Sequence, residues 1–202
     1  MSSIAVAPTR LVLADRLGAR SVVTTIAFIL GGAVLTAAAA QISIPMWPVP
    51  ITGQTFAVLL VGTTLGMWRG LASMLTYVAL GAVGLPVFTG AQGGLDSLTG
   101  GPTVGYIIGF VLAGALTGWM AQRGLDRSVW GAISIFLAGE AVIYAVGLPL
   151  LAVFLMSVGS PNDLSTTLSL GLYPFIIGDL IKAALAGLLF PVTWKLVNRR
   201  QR

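Results

Sequence analysis

Six apolar stretches, near residues 22–40, 55–68, 70–87, 103–121, 129–157 and 172–197, recur along the chain between turn residues and charges. About 20 apolar residues of helix cross the roughly 30 Å hydrocarbon core of a bilayer, where each segment must satisfy its own backbone N–H and C=O groups. The pattern predicts an all-α membrane protein with six transmembrane helices. Composition agrees, with 56% hydrophobic residues, 8% charged residues and a mean hydropathy of +0.96. A chain of 202 residues has room for one compact bundle over 22–197, a tail over 1–21 and a short basic tail over 198–202. The second and third stretches are short and flank Met67-Trp68-Arg69-Gly70, so they read either as two helices joined by a tight turn or as one long kinked helix.

The net charge of +5 raises nucleic acid as a partner, but the placement of the basic residues removes it. Every Arg falls in the N-terminal stretch (Arg10, Arg16, Arg20), at Arg69, at Arg123 and Arg127, or at Arg199, Arg200 and Arg202. With six spans these positions share one side of the membrane. The alternate loops, about 41–54, 88–102 and 158–171, hold no Lys or Arg. The positive-inside rule then puts both termini in the cytoplasm and the protein in the cytoplasmic membrane. No apolar stretch with a small-residue cleavage site follows the first arginines as a secretory signal would require, so the first stretch is read as a retained span.

Asp179 and Lys182 stand in the middle of the last stretch. A charge inside a bilayer span costs several kcal/mol, so such residues are usually paired, face the protein interior and carry function. Three residues apart, they share a helix face, either as a structural ion pair or as a carboxylate and an ammonium offered jointly to a ligand. The Arg-free loops also ask for a purpose. Ile44-Pro45-Met46-Trp47-Pro48-Val49-Pro50 cannot be helical, because its prolines lack donors and hold their predecessors extended. It forms a stiff outer cap in which Trp47 is an interfacial anchor or part of a ligand lid. The first span carries small-xxx-small spacing at Ala27/Gly31 and Ala33/Ala37, suited to close approach of another helix within the chain or of a separate membrane subunit.

The chain has no Cys and no His, so the commonest nucleophile, base and metal ligands are missing. No metal or cofactor is expected. No G-x-x-x-x-G-K-[ST] loop is present to hold a nucleotide, so energy for uphill transport must come from other subunits.

Several ordered motifs resemble the BioY family, the biotin-binding S components of energy-coupling factor (ECF) transporters. They are Gln41-Ile42-Ser43-Ile44-Pro45 through Pro48-Val49-Pro50-Ile51-Thr52-x-Gln54-Thr55; Gly84-Leu85-Pro86-Val87-Phe88 with Gly93-Gly94-Leu95; Gly101-Pro102-Thr103-x-Gly105-Tyr106-x-x-Gly109-Phe110; and Gly178-Asp179-x-x-Lys182. The likeness spans about 22–197. It departs at Glu140, where an uncharged polar residue is expected, and at Gly53, often a bulkier residue. The resemblance implies a six-helix, non-enzymatic protein that binds biotin in an outward-opening pocket covered by the first and third inter-helix loops. It also implies work with a transmembrane coupling protein and two ATPase subunits, docked through the small-residue face of the first helix at Ala33 and Ala37. Biotin brings a carboxylate tail and a ureido ring with two N–H donors. Lys182 and Asp179 supply a cation and an acceptor for them, read as Lys182 at the carboxylate and Asp179 at the ureido group with an exchange of the two partners as the alternative; Gln54, Thr52 and Tyr106 are further polar contacts, and Trp47 or Tyr144 packs against the fused rings.

Two competing readings stand beside it. One is an S component for another small acidic vitamin. The other is an intramembrane hydrolase using Glu140 and Asp179, which Lys182 disfavours by stabilising the ionised form of the acid beside it.

Overall fold

The computed structural model describes residues 11–18 and 21–199. Arg10, Arg20, Arg200 and Arg202 of the expected inner belt lie outside them. The elements are α1 (Leu13–Arg16), α2 (Val22–Gln41), β1 (Ser43–Ile44), β2 (Ile51–Thr52), α3 (Gln54–Leu65), α4 (Met67–Ala82), α5 (Val104–Gln122), α6 (Val129–Ser157), α7 (Leu164–Gly171) and α8 (Tyr173–Arg199). Among the described residues, α2, α5, α6 and α8 are long and apolar enough to cross a membrane. At 1.5 Å per residue, α3 and α4 reach only about 18 and 24 Å.

The choice between two helices and one kinked helix resolves at Gly66. Its φ of 85° and ψ of 172° break the helix, a conformation a side chain rarely adopts, and the chain turns back there. Gln54 at the start of α3 meets Tyr77 in α4, so the two form a hairpin. Its helices cross so closely that a Cβ on Gly70 would lie 2.9 Å from both the Gly62 Cα and the Gly114 carbonyl oxygen. α5 is thus wedged against the hairpin on one side and packs against α6 on the other.

α2 is capped by Ser21, whose hydroxyl accepts from the Thr24 N–H at 3.1 Å. Its inner face, Gly32, Ala33, Thr36, Ala39 and Ala40, is buried, and Ser73 of α4 donates to the Ile29 carbonyl at 2.8 Å. The proline-rich loop is extended, as its composition predicts, and its ends pair as an antiparallel ribbon with Ser43 opposite Thr52 and Ile44 opposite Ile51. The third stretch ends at Ala82 rather than at 87, where Gly84 with φ of 97° leads into the loop before Pro86. The last Arg-free loop holds a helix, α7, that composition did not suggest. Asp163 caps it through the Thr166 N–H and hydroxyl, and these bonds lower the Asp163 pKa.

The opposite end carries the basic residues. Within the stretch expected as an N-terminal tail, Val12, Leu13 and Ala14 are buried. Asp15 pairs with Arg69 at 2.7 Å, and Arg127 donates to the Leu11 carbonyl at 3.1 Å. Asp126, buried in the 125–127 turn, accepts from the Trp194 indole N–H at 2.6 Å, and the Arg127 guanidinium lies 4.4 Å from that ring's centroid.

Candidate functional site

The end of the bundle carrying the Arg-free loops encloses a cavity of about 60 Å³. Its upper wall comes from those loops, including Val49, Pro50, Phe88 and Gln92, and its lower wall from Thr55, Tyr106, Phe110, Tyr144, Phe175 and Lys182. A pocket for a drug-sized ligand holds on the order of 300 Å³ or more, so the cavity in this structure is a closed one.

Lys182 lies nine residues, about 14 Å of helix, into α8 from Tyr173. It reaches Thr55, the second residue of α3, whose hydroxyl accepts from Nζ at 2.7 Å. The start of α3 therefore lies against the middle of α8, below the β1–β2 ribbon that precedes it in the chain. The second Lys182 bond runs to Asp179 Oδ1 at 3.0 Å, as their spacing predicts. The other Asp179 oxygen accepts from the Tyr144 hydroxyl of α6. Both residues are largely buried, but only Lys182 reaches the cavity wall; Asp179 stands behind it.

The other expected site residues divide between wall and frame. Gln54 lines the cavity, yet its amide is already engaged. Nε2 donates to Tyr77 Oη at 2.6 Å, and Oε1 accepts from the Thr52 and Thr89 hydroxyls at 3.1 and 3.0 Å. Gln54 thus joins the ribbon, α4 and the next outer loop. Tyr106 lines the wall and donates to the Gly171 carbonyl at 2.9 Å, tying α5 to the end of α7. The Tyr144 ring stands edge-on to Tyr106, centroids 6.3 Å apart, and tilted against Phe175 at 6.5 Å, which makes an aromatic wall. Trp47 is 60% exposed and off the wall, since Val49 and Pro50 take the inward positions of its loop. Thr55, the Lys182 acceptor, was missed as a site residue although it ends the first motif.

Helical bundles with a polar floor under a loop-covered cavity serve many ligands, and the comparisons narrow the field. A sequence model described as the BioY family matches residues 8–199. The chain belongs to the BioY family. A biotin transporter BioY from Thermotoga maritima is 40% identical over 150 residues, 74% of this chain and 83% of the relative. A probable biotin transporter BioY from Pyrococcus horikoshii is 41% identical over 152 residues, 75% of this chain and 85% of the relative. The crystal structure of the S-component for biotin from an ECF-type ABC transporter superposes with a TM-score of 0.71 at 28% identity, covering 86% of this chain and 92% of that one.

Two features of this BioY member stand apart from the expected pattern. Glu140, one turn before Tyr144 on α6, is buried, and neither of its oxygens has a hydrogen-bond partner. Thr55, Asp179 and Lys182 are its polar neighbours, and the Tyr144 hydroxyl turns to Asp179. The two small-residue pairs of α2 also part. Ala33 is fully buried and Ala37 packs against the core, so this pair serves internal packing. Ala27 and Gly31 face outward, lining with Phe28, Leu35 and Leu60 an apolar groove of about 350 Å³ between α2 and α3.

Proposed function

We propose that this protein captures biotin from the outer side of the cytoplasmic membrane and delivers it inward as the substrate-specific subunit of an ECF-type transporter. A transmembrane coupling protein and two ATPase subunits would supply the energy, and the chain itself is not an enzyme. The observation that carries the reading is Lys182, held by Thr55 and Asp179 at the floor of an aromatic-walled cavity in a BioY member. Six crossings with both termini inside fit the Arg-free outer loops and the inner belt of Arg69, Arg123, Arg127 and Arg199. The thin α3–α4 hairpin supplies the second and third crossings. The outward groove at Ala27 and Gly31, rather than buried Ala33, offers the face for a coupling helix.

The Asp179 carboxylate already paired with Lys182 supports a head-first orientation. A ligand carboxylate at Lys182 would bring a second carboxylate to an ammonium that Asp179 already neutralises in an apolar interior, and uncompensated buried charge is costly. A neutral ureido ring suits the floor better. Its carbonyl accepts from Lys182 and an N–H faces the Thr55 hydroxyl, while Asp179 behind them holds Lys182 in place. The tail then points to the outer loops, where Thr52, Ser97 and Thr103 offer hydroxyls and water is near.

Equilibrium binding of biotin and biotin amide to the purified protein tests both steps. Lys182→Ala is expected to weaken each ligand by about 2 to 4 kcal/mol, the scale for truncating one partner of a buried charged contact. Absence of biotin binding by the unmodified protein refutes the function. An amide that loses far less than biotin puts the carboxylate at Lys182 and refutes the orientation.

A further inference from the structure

Glu140 has no part in the binding scheme above, yet it sits against every polar group of the floor. It is 5% exposed and neither oxygen has a hydrogen-bond partner, a costly state for a packed carboxyl group. Thr55 of α3 and Asp179 and Lys182 of α8 lie within its reach. The other titratable groups around it are Tyr144, one turn along α6, and Tyr106 of α5 against the Tyr144 ring.

The hydrogen bonds of this cluster close only if Glu140 carries a proton. Lys182 donates to Thr55 Oγ1 and to Asp179 Oδ1, and Tyr144 donates to Asp179 Oδ2. A hydroxyl has one proton and two acceptor sites, so Thr55 still has its own proton to place. A carboxylate has about four acceptor sites, so Asp179 has room for a further donor. An ionised Glu140 would serve Thr55 but set a second negative charge beside one ammonium in an apolar interior. A neutral acid serves both neighbours and leaves Lys182 balanced by Asp179 alone.

We infer that Glu140 is a positioning residue that acts as a neutral acid: its carbonyl oxygen takes the Thr55 proton, its O–H donates to Asp179, and Thr55 is left with a bare oxygen toward the ligand. Thr55 lines the cavity and Glu140 stands behind it, so the effect passes through that hydroxyl. Without Glu140 the outlet for the Thr55 proton is the cavity, where it would oppose an incoming ureido N–H. The inference rests on the head-first orientation and explains what sets the polarity of the floor.

Infrared spectra and a double-mutant cycle supply the test. The difference between the unmodified protein and Glu140→Gln near neutral pH should contain the carbonyl band of a protonated carboxyl group, which a carboxylate lacks. Glu140→Leu gives the same reference if the amide variant fails to fold. Gln keeps an oxygen for Thr55 and an N–H for Asp179, so Glu140→Gln should bind biotin within about threefold of the parent. Glu140→Leu offers neither and should lose about tenfold, the scale of one hydrogen bond. In a Thr55→Val background the same Leu change should cost less than about threefold, because the hydroxyl it acts through is gone. Absence of the protonated band overturns the inference. So does a Gln variant as weak as the Leu one, a Leu variant as tight as the parent, or a Leu effect undiminished without the Thr55 hydroxyl. Failures of the underlying reading appear elsewhere, as absent biotin binding or as a biotin amide spared by Lys182→Ala.

Discussion

Asp126→Asn isolates a charge that the fold holds at a disadvantage. Asp126 is fully buried in the turn between α5 and α6; Oδ2 accepts from Trp194 and Oδ1 has no partner. Burial pushes its pKa up from 3.8 to about 6, against the opposing pull of the Trp194 N–H and the Arg127 charge. For an acid raised on folding, the native state holds its proton more tightly than the unfolded chain. Stability is therefore greatest below pH 3.8, falls as pH rises through about 6, and is level above that. At about 1.4 kcal/mol per pH unit, the rise from 3.8 to about 6 is worth about 3 kcal/mol. Asn keeps an oxygen for Trp194 and removes the titration. Its amide nitrogen replaces the unpartnered Oδ1, and an unsatisfied buried donor costs about 1 to 3 kcal/mol, which offsets part of the gain at neutral pH. The slope is the sharper readout. Unfolding midpoints in detergent, followed by scanning fluorimetry from pH 4 to 7, should show the variant gaining on its parent by up to about 3 kcal/mol, or roughly 6 to 12 °C for a chain of this size. Taking the difference cancels the other acids, including Asp163, whose lowered pKa acts with the opposite sign. A difference that stays flat across this range refutes the reasoning.

Two further outcomes test topology and docking. Cysteines introduced at Ser97 and Asn162 should react with impermeant thiol reagents from outside, and one at Gln122 only from inside; outside labelling at Gln122 would overturn the count of six crossings. Gly31→Leu, at a position where a Cβ meets nothing within 4 Å, should leave biotin binding intact and abolish ATP-dependent uptake, whereas Ala33→Leu overfills a fully buried site and should impair both. Equal loss of both activities in Gly31→Leu would show that the outward groove is not the docking face.

What could be read from the sequence followed the range of the interactions involved. The long apolar helices were legible because bilayer length and side-chain polarity act within one segment, and the ends of α5, α6 and α8 fall within two residues of the predicted stretches. α7 was not, because Leu-Ser-Thr-Thr-Leu-Ser-Leu-Gly is too short and polar to stand out; the Asn162-Asp163 pair before it was its one signal, an N-cap. The same divide runs through the site. Asp179 and Lys182 share a helix face, so their spacing alone predicts the ion pair that the structure contains. Thr55 lies 127 residues from Lys182, and Tyr144 lies 35 from Asp179, so only the packed bundle brings them together. The single Tyr144 hydroxyl proton goes to Asp179, and that long-range bond leaves Glu140 without the neighbour one turn away that helical spacing offers it. The sequence marks Glu140 as unusual along α6, but only the docking of α8 beside it sets Asp179 and Lys182 as its neighbours.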